Sequence, residues 1–454
     1  MIIAALITAS ALILFWLARK NPHAALTTVV ALLPAYLIAF HLGPIPTNAL
    51  EVLIIALLAA KLTPASPMVH PRGVPWAGRM RQAWKTLNPR VKIVVMLFIL
   101  AATISTGISP ELRVSLGILK GWIVMPMLLG FLVYAAKISE ANPKQRYLPL
   151  IRGIEGVSDT LLYALVTSST VVSLLALLRG PVEGRLVGIY DTPNSLALYV
   201  SPILAATIWA SVYPPAAPRK ALGGVGIRGI TAKTKMMLVT GLIQAAALLG
   251  SESVSGVTAC IISLLISAHL FPNKWPLRRW YIATGTGALL AIIVLTASGK
   301  IGYLLEPLKN PSAHNSATVR LQLWSISLDL IKEHPLEGVG LGQFEPAYQQ
   351  ALHQRFQDYS LRITHYALRP LPEFVFRDPH NWVLSFWLNT GLLGLISFIS
   401  INIIVLKKIR SAQGIVRITH YALLITILIF GLTDTIYWKN DIAALYWVVV
   451  AMLL

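Results

Sequence analysis

Long apolar runs recur along the whole chain and are separated by short polar segments. A membrane-spanning helix needs roughly 20 mostly apolar residues, and in lipid a helix satisfies its own backbone N–H and C=O groups. The runs predict thirteen helices, or twelve if the short last one is partial: 2–18, 24–42, 46–60, 93–108, 114–136, 159–178, 194–213, 236–250, 254–271, 281–299, 381–406, 419–437 and 442–454. Membrane strands would alternate over short segments, so the predicted fold class is all-α, a polytopic helical bundle.

The polar segments between these runs differ in charge. About two thirds of the 38 Lys and Arg residues fall in alternate segments, namely 19–20, 61–92, 137–152, 219–235, 274–279 and 407–417. Cytoplasmic loops carry an excess of Lys and Arg, so these segments are predicted to be cytoplasmic and the others extracytoplasmic. The net charge of +20 is therefore interpreted as a topology signal, and no nucleic-acid partner is expected.

The composition excludes two classes of protein. Hydrophobic residues make up 56% of the chain and charged residues 12%, against about 25% charged residues in a soluble domain, so a soluble or a disordered protein is excluded. The single cysteine, Cys260, excludes an internal disulfide and a cysteine-based zinc site. The first apolar run has no basic n-region, so we expect a retained helix rather than a signal peptide.

One extracytoplasmic segment, 300–380, is much longer than the others, and long loops in compact proteins usually carry function. It divides the chain into an N-terminal bundle of about ten helices (1–299), this large loop (300–380) and C-terminal membrane helices (381–454). The loop itself predicts two helices, 317–333 and 344–359. The first would present one stripe of residues, Arg320, Trp324, Leu328 and Ile331.

Candidate chemistry is concentrated in the segments predicted to be extracytoplasmic. The 179–193 loop carries Arg185 and Tyr190 and leads into Asn194, a candidate helix N-cap. Taken alone, this loop is better explained as a capped helix entry with an arginine reaching the lipid headgroups than as a substrate site. In the large loop Gly338, Gly340 and Gly342 alternate with apolar residues, which predicts either close approach to a ligand or a tight turn.

His380 and Asn381 open a long apolar helix directly after Pro379. A helix N-terminus favours an anion, and a histidine there can serve as a general acid or base near neutral pH. Farther along, Asp434, Lys439 and Asp441 could pair with one another, but a short extracytoplasmic turn between two helices is the favoured interpretation.

Two charged residues, Glu51 and Lys120, fall within predicted membrane spans. An ionisable group inside the membrane suggests a functional site, but the two could equally anchor the bundle by pairing with each other. The chain contains no HExxH, GxSxG or Asp-x-Asp signature, so neither a metal nor a cofactor is expected.

The remaining extracytoplasmic candidates are arginines and one histidine. The arginine fork matches phosphate oxygens bidentately, and arginines can stabilise charge on a departing diphosphate without a metal. Such a set at a membrane surface suits a diphosphate-linked lipid donor, with the histidine orienting or deprotonating an attacking hydroxyl. A lipid transporter or flippase is the alternative from another class, with Lys120 and Glu51 on its path.

In this order and spacing, these motifs resemble the O-antigen ligase and polymerase family of bacterial envelope glycosyltransferases. The resemblance covers roughly 180–400 and rests on four stretches: GRLVGIYDTPNSLA at 184–197, RLQLW at 320–324, HPLEGVGLGQF at 334–344, and the His380-Asn381 pair whose helix continues as GLLGL. One departure is visible in the stretch 251–259, SESVSGVTA, where family members often carry a Ser-Arg pair and this chain has no arginine.

The resemblance implies a membrane glycosyltransferase of the C type in the bacterial inner membrane, with its site on the periplasmic face. Its donor would be an undecaprenyl-diphosphate-linked glycan and its acceptor a lipid A–core sugar, or another lipid-linked repeat in a polymerase. The implied catalytic residues are Arg185, Arg320 and His380. The residues expected to contact substrate are Arg185, Tyr190, Asn194, Arg320, Gly340, Gly342, Asn381 and Lys120. The protein is expected to be a monomer or a weak oligomer.

Overall fold

A computed structural model describes residues 2–43, 45–63, 76–140, 156–212, 232–270, 316–360, 376–408 and 415–454, with the single positions 285 and 296. The predicted helix 281–299 lies outside these residues apart from those two positions. Six described helices are long and apolar enough to cross a membrane, and three shorter helices are also apolar. The chain is a polytopic helical membrane protein, as its hydrophobic pattern predicts.

The described helices are α1 (Ile2–Lys20), α2 (Pro22–Ala31), α3 (Ala49–Leu62), α4 (Trp76–Thr86), α5 (Pro89–Gly107), α6 (Leu112–Ile118), α7 (Met125–Glu140), α8 (Val157–Arg179), α9 (Pro193–Val212), α10 (Ala232–Gly250), α11 (Val254–Leu270), α12 (Ser316–Glu333), α13 (Phe344–Ser360), α14 (Trp382–Lys407), α15 (Ile415–Phe430) and α16 (Asn440–Leu453). A π-helical segment, Leu119–Val124, joins α6 to α7. The two helices predicted in the large loop correspond to α12 and α13.

The prediction of one helix over 24–42 is wrong. Helix α2 ends at Ala31, and a 3-10 helix, Leu33–Leu37, follows with Pro34 inside it. The chain then forms an antiparallel hairpin of β1 (Ala39–Leu42) and β2 (Ile45–Asn48). Proline has no N–H and its ring clashes with the preceding turn, which explains why this apolar run does not continue as an α-helix.

The span predicted at 381–406 is two helical segments instead of one continuous helix. Gly391 interrupts α14 with φ 66 and ψ −178. The rings of Phe386 and Phe398 stack with their centroids 3.8 Å apart, whereas twelve residues of straight helix would separate them by about 18 Å. The segment before Gly391 therefore folds back against the segment after it.

Helix α15 ends at Phe430, so the prediction of a span reaching 437 is also wrong. The chain turns at Gly431, whose N–H donates to the Ile427 carbonyl. The next apolar residues, Ile436, Tyr437 and Trp438, are buried in the core without being helical. A hydropathy pattern registers their burial and cannot distinguish this turn from a continuing helix.

The N-terminal and C-terminal helices share one apolar core. Helix α14 packs on α5, α15 on α9, and α16 on α7. A second apolar cluster joins α12 and α13 to Leu388 of α14. On α12 the buried residues include Leu323, Ile326 and Leu330, while Leu328 is half exposed, so the predicted stripe is wrong at that position. The large loop is thus anchored on the helix that follows it.

The segments predicted to be extracytoplasmic contact one another. The Leu186 N–H donates to the Gly250 carbonyl, and the Trp382 N–H donates to that of Gly431. Two of the basic segments contact the same end of α16, because Lys137 donates to the Met452 carbonyl and Lys408 to that of Leu454. The predicted alternation of segments is therefore consistent with the contacts, while the side that faces the cytoplasm stays a prediction.

Candidate functional site

The side chains of His380 and Arg320 meet on one carboxylate, that of Asp434. The His380 Nδ1 lies 3.0 Å from Asp434 Oδ1, and the Arg320 Nη2 lies 3.9 Å from Asp434 Oδ2. Asp434 is 3% exposed, Arg320 18% and His380 29%. A buried carboxylate therefore holds two partly exposed cationic groups at one surface.

The backbone places His380 at the start of α14 in a left-handed conformation, with φ 50. Its N–H donates to Asp378 Oδ1 at 2.8 Å, and the Thr435 hydroxyl donates to the same oxygen. The next residue, Asn381, caps the helix, because its Oδ1 accepts from the N–H groups of Val383 and Leu384. The Asn381 amide also donates to the Leu432 carbonyl, so its described contacts hold the turn that carries His380.

The electrostatics favour a charged pair between His380 and Asp434. Burial alone would lower the pKa of His380, but the carboxylates of Asp378 and Asp434 outweigh burial and raise this pKa above 6.5. Burial alone would raise the pKa of Asp434, yet the hydrogen bond from His380 and the charges of His380 and Arg320 bring it below its ordinary value. An ionised carboxylate only accepts hydrogen bonds, so Nδ1 carries the proton and Nε2 is the basic nitrogen of the neutral ring.

The guanidinium of Arg320 is held from three directions. Its Nε donates to the Thr433 carbonyl at 2.7 Å, and its Nη1 donates to the carbonyl and hydroxyl of Ser316. The remaining nitrogen, Nη2, faces Asp434. Helix α12 supplies Arg320 and Ser316, and the turn after α15 supplies Thr433 and Asp434. Two distant parts of the chain therefore fix the position of the guanidinium.

Arg185 lies in the loop between α8 and α9, and its guanidinium contacts the turn between α10 and α11. Its Nε donates to the Ser251 carbonyl at 2.9 Å and its Nη2 to the Glu252 carbonyl at 3.4 Å. Burial lowers the pKa of Arg185, and the charge of Glu252 opposes that effect. The Ser251 and Glu252 carbonyls lie in the stretch 251–259, where the family resemblance would place an arginine that this chain lacks.

The loop carrying Arg185 joins the turn carrying Asp434 through two contacts. The Tyr190 hydroxyl donates to Asp441 Oδ2 at 3.0 Å, and Lys439 donates to the Ser195 hydroxyl. Tyr190 is only 3% exposed, so its side chain is part of the protein core. Asp434, Lys439 and Asp441 therefore each contact a partner elsewhere in the fold, namely His380, Ser195 and Tyr190.

The prediction that Asn194 caps a helix is wrong. Helix α9 begins one residue earlier, at Pro193. Thr192 provides the cap, because its hydroxyl accepts from the Ser195 N–H at 3.1 Å. Asn194 is partly exposed on the first turn of α9, where a contact with substrate stays a prediction.

The glycine-rich turn packs the large loop onto α14 and α5. Gly340 and Gly342 both have positive φ, and the Gly342 N–H donates to Asn389 Oδ1 at 2.8 Å. A Cβ on Gly340 would lie 3.3 Å from Ser109 Cα. These contacts agree with the tight-turn interpretation of the motif, and direct binding of substrate by Gly340 or Gly342 stays a prediction.

Lys120 pairs with Glu51, as one of the two sequence interpretations predicts. The Lys120 Nζ lies 2.8 Å from Glu51 Oε2 and also donates to the Pro46 carbonyl. The Thr47 hydroxyl donates to the same Glu51 oxygen. The pair ties the π-helical segment to the β-hairpin, which explains the charges without a substrate.

Sequence reasoning did not select Asp434 or Asp378, the two carboxylates that contact His380. The only sequence signal of Asp378 is its position two residues before His380, and that of Asp434 is its place in a short charged turn near the end of the predicted span 419–437. In the described ranges, no group of three His, Cys, Asp or Glu side chains lies close enough to hold a metal ion. Two cationic groups around a shared carboxylate form a set suited to proton transfer and to binding a phosphate oxygen.

Comparison with known proteins supports the resemblance seen in the sequence. Residues 239–399 match the family described as O-Antigen ligase. Arg320 and His380 lie inside this segment, whereas Arg185 and Asp434 lie outside it. The chain is also 32% identical over 169 residues to a protein of Rickettsia bellii (strain RML369-C) named "Putative polysaccharide ligase". That alignment covers 37% of this chain and 38% of the relative's length.

Proposed function

We propose that the protein is a membrane glycosyltransferase of the O-antigen ligase type. It transfers a glycan from an undecaprenyl-diphosphate lipid to a hydroxyl of lipid A–core, on the extracytoplasmic face of the inner membrane. One observation carries this proposal: His380 and Arg320, which both lie in the segment that matches the ligase family, meet on Asp434. The shared carboxylate brings a proton acceptor and a phosphate-binding group to the same surface.

The chemistry assigned to these side chains is a displacement at the anomeric carbon of the donor. The neutral Nε2 of His380 takes the proton of the acceptor hydroxyl while the new C–O bond forms, and Asp434 stabilises the resulting imidazolium. The bond between the anomeric carbon and the phosphate oxygen breaks, and the lipid diphosphate leaves with the electron pair. Arg320 and Arg185 bind the diphosphate oxygens and stabilise this charge, so the proposed reaction needs no metal.

The acceptor separates the proposed ligase from a polymerase. Both would use the same donor and the same proton transfer, but a ligase forms glycosylated lipid A–core and a polymerase lengthens a lipid-linked chain. The product formed by purified protein with both acceptors present therefore decides between the two.

A transporter or flippase is less well supported. That alternative needs Lys120 and Glu51 on a substrate path, and their contacts with each other, with Pro46 and with Thr47 account for both charges. It also assigns no role to the His380–Asp434 pair.

Replacing His380 with alanine tests the proposed function directly. We expect His380→Ala to lower kcat for glycan transfer by about 100-fold or more, the typical contribution of a positioned general base. The reaction is measured in detergent with a radiolabelled lipid-linked donor and lipid A–core. His353→Ala, an exposed histidine on α13, is the matched control and should retain wild-type transfer. Full transfer by a folded His380→Ala protein would contradict the mechanism.

A further inference from the structure

A concave site lies in the large loop, and His380 is not among the residues that line it. It is a cleft of about 490 Å³ between α12, the turn that follows it, α13 and the outer end of α5. This volume lies within the range of small-ligand sites, roughly 300–1,000 Å³. The lining of the cleft includes polar side chains that have no role in the proposed reaction.

The lining combines polar side chains with an apolar floor. The polar groups are Glu333, His334, Glu337, Gln350 and Gln354. Carboxylates accept hydrogen bonds, and side-chain amides both donate and accept. The apolar part of the lining is formed by Leu330, Val339 and two alanines of α13. Alternating hydroxyls and C–H faces on one ligand would match such a surface.

Charge argues against a phosphate as the occupant. The residues that line the cleft in the described part of the chain include two carboxylates, Glu333 and Glu337, and neither lysine nor arginine. The imidazole of His334 lies 3.2 Å from Glu337 Oε1, so the histidine's charge would be balanced within the cleft. A diphosphate group would be repelled here, whereas an uncharged hydroxyl-rich segment would not.

The cleft is fixed relative to His380 by two tryptophan contacts, one from α12 to the residue before His380 and one from α14 to the turn after α12. At one end, the Trp324 indole donates to the Pro379 carbonyl, next to His380, at 3.0 Å. At the other end, the Trp387 indole donates to the Pro335 carbonyl at 2.7 Å. Arg320 and Glu333 are thirteen residues apart on α12, which corresponds to about 20 Å of helix.

We infer that this cleft binds sugar residues of a substrate glycan, about 20 Å from the point of transfer along α12. The inference rests on the proposed function, because it takes the site at His380 as the point of glycan transfer. Both the donor and the acceptor of the proposed reaction carry hydroxyl-rich sugars at a distance from the reacting atoms, and an uncharged stretch of either glycan would suit the lining of the cleft. Either one is a source of the bound segment, and the length of the glycan distinguishes them.

A bulky substitution in the cleft tests the inference. Gln350→Trp fills the cleft, and His353→Trp places the same side chain three residues away on α13, outside the lining. Both positions are exposed, so both variants should fold. For the substrate with the longer glycan, we expect Gln350→Trp to raise KM about tenfold, the factor produced by losing one or two hydrogen bonds of about 1 kcal/mol each. The kcat of Gln350→Trp should equal that of the wild-type protein. Both KM and kcat of His353→Trp should equal the wild-type values.

Substrate length identifies which glycan occupies the cleft. Transfer is measured with donors of one repeat or several, and with complete or truncated lipid A–core. A KM increase limited to the multi-repeat donor identifies the donor glycan, and one limited to the complete core identifies the acceptor. An unchanged KM for every pair, or an equal increase for short and long substrates, overturns the inference.

A binding measurement separates this inference from the proposed function. The probe is the oligosaccharide released by mild acid from the lipid-linked donor, or the core oligosaccharide released from the acceptor, observed by saturation-transfer NMR with the full-length protein. If the wild-type protein binds either probe and Gln350→Trp does not, the cleft is a glycan site even if no transfer occurs. If neither probe binds to the wild-type protein while transfer proceeds, the cleft inference fails and the proposed function stands.

Discussion

Asp434 connects the two side chains that the proposed reaction depends on. Its Oδ1 faces the His380 imidazole, and its buried Oδ2 lies 3.9 Å from Nη2 of Arg320. The carboxylate thus fixes the tautomer of His380 and raises its pKa, and it holds the guanidinium beside the ring. His380 acts as a base only when neutral, so a raised pKa moves the onset of activity to higher pH.

Asp434→Asn should shift the pH dependence of transfer. Removing this negative charge removes a cause of the raised pKa of His380, so the neutral ring is populated at lower pH. We expect the acidic limb of the kcat/KM profile to move to lower pH, while kcat at its plateau falls by about 100-fold or more because the imidazolium loses its partner. Initial rates between pH 5 and pH 9 measure both effects. An unmoved acidic limb would show that His380 does not titrate in catalysis.

At the scale of the elements, two glycines allow the large loop to pack on the broken helix α14. Gly391 breaks the helix with φ 66 and ψ −178, and a Cβ there would lie 2.3 Å from the Leu336 carbonyl oxygen. Gly338 has φ 72, and a Cβ there would lie 2.3 Å from the Leu388 carbonyl oxygen. The two backbone segments approach each other closely, and this contact links the base of the loop to α14, which begins two residues after His380.

Gly391→Ala should destabilise the protein. A side chain in this backbone region costs about 1–3 kcal/mol, and the clash with the Leu336 carbonyl adds to that cost. We expect a lower midpoint of thermal unfolding in detergent. Gly117→Ala is the matched control, because Gly117 is helical and a Cβ there meets nothing within 4 Å. Since alanine favours helix over glycine by about 1 kcal/mol, the control should be unchanged or more stable. Equal midpoints for the two variants would contradict the proposed role of Gly391.

At the scale of the whole molecule, the contacts sort the polar segments into two groups. One group contains the Asp434 turn, the Arg185 loop and the base of the large loop, and the other contains the basic segments of Lys137 and Lys408, which both contact the end of α16. The positive-inside rule assigns the basic group to the cytoplasm. The proposed function requires the Asp434 group to face the opposite side, where the completed lipid-linked glycan is used.

Labelling of introduced cysteines tests this sidedness. Lys332→Cys lies on the large loop and Lys85→Cys on a basic segment, and both lysines are exposed. The native Cys260 is buried, so its background labelling should be low. In intact spheroplasts a membrane-impermeant maleimide should label Lys332→Cys, while Lys85→Cys should react only after permeabilisation. The reverse result would place the site on the cytoplasmic face and exclude the proposed reaction.

The sequence alone determines the membrane class, most helix positions, the two helices of the large loop and the candidates His380 and Arg320. These features follow from local rules, because a lipid environment requires long apolar helices and a helix start reveals itself in a few residues. Only the tertiary structure decides that Asp434 joins His380 to Arg320, that Gly391 folds α14 back on itself, and that 24–42 ends in a hairpin. The first two depend on contacts between residues distant in the chain. A hydropathy pattern predicts which residues are buried but not which residues they pack against.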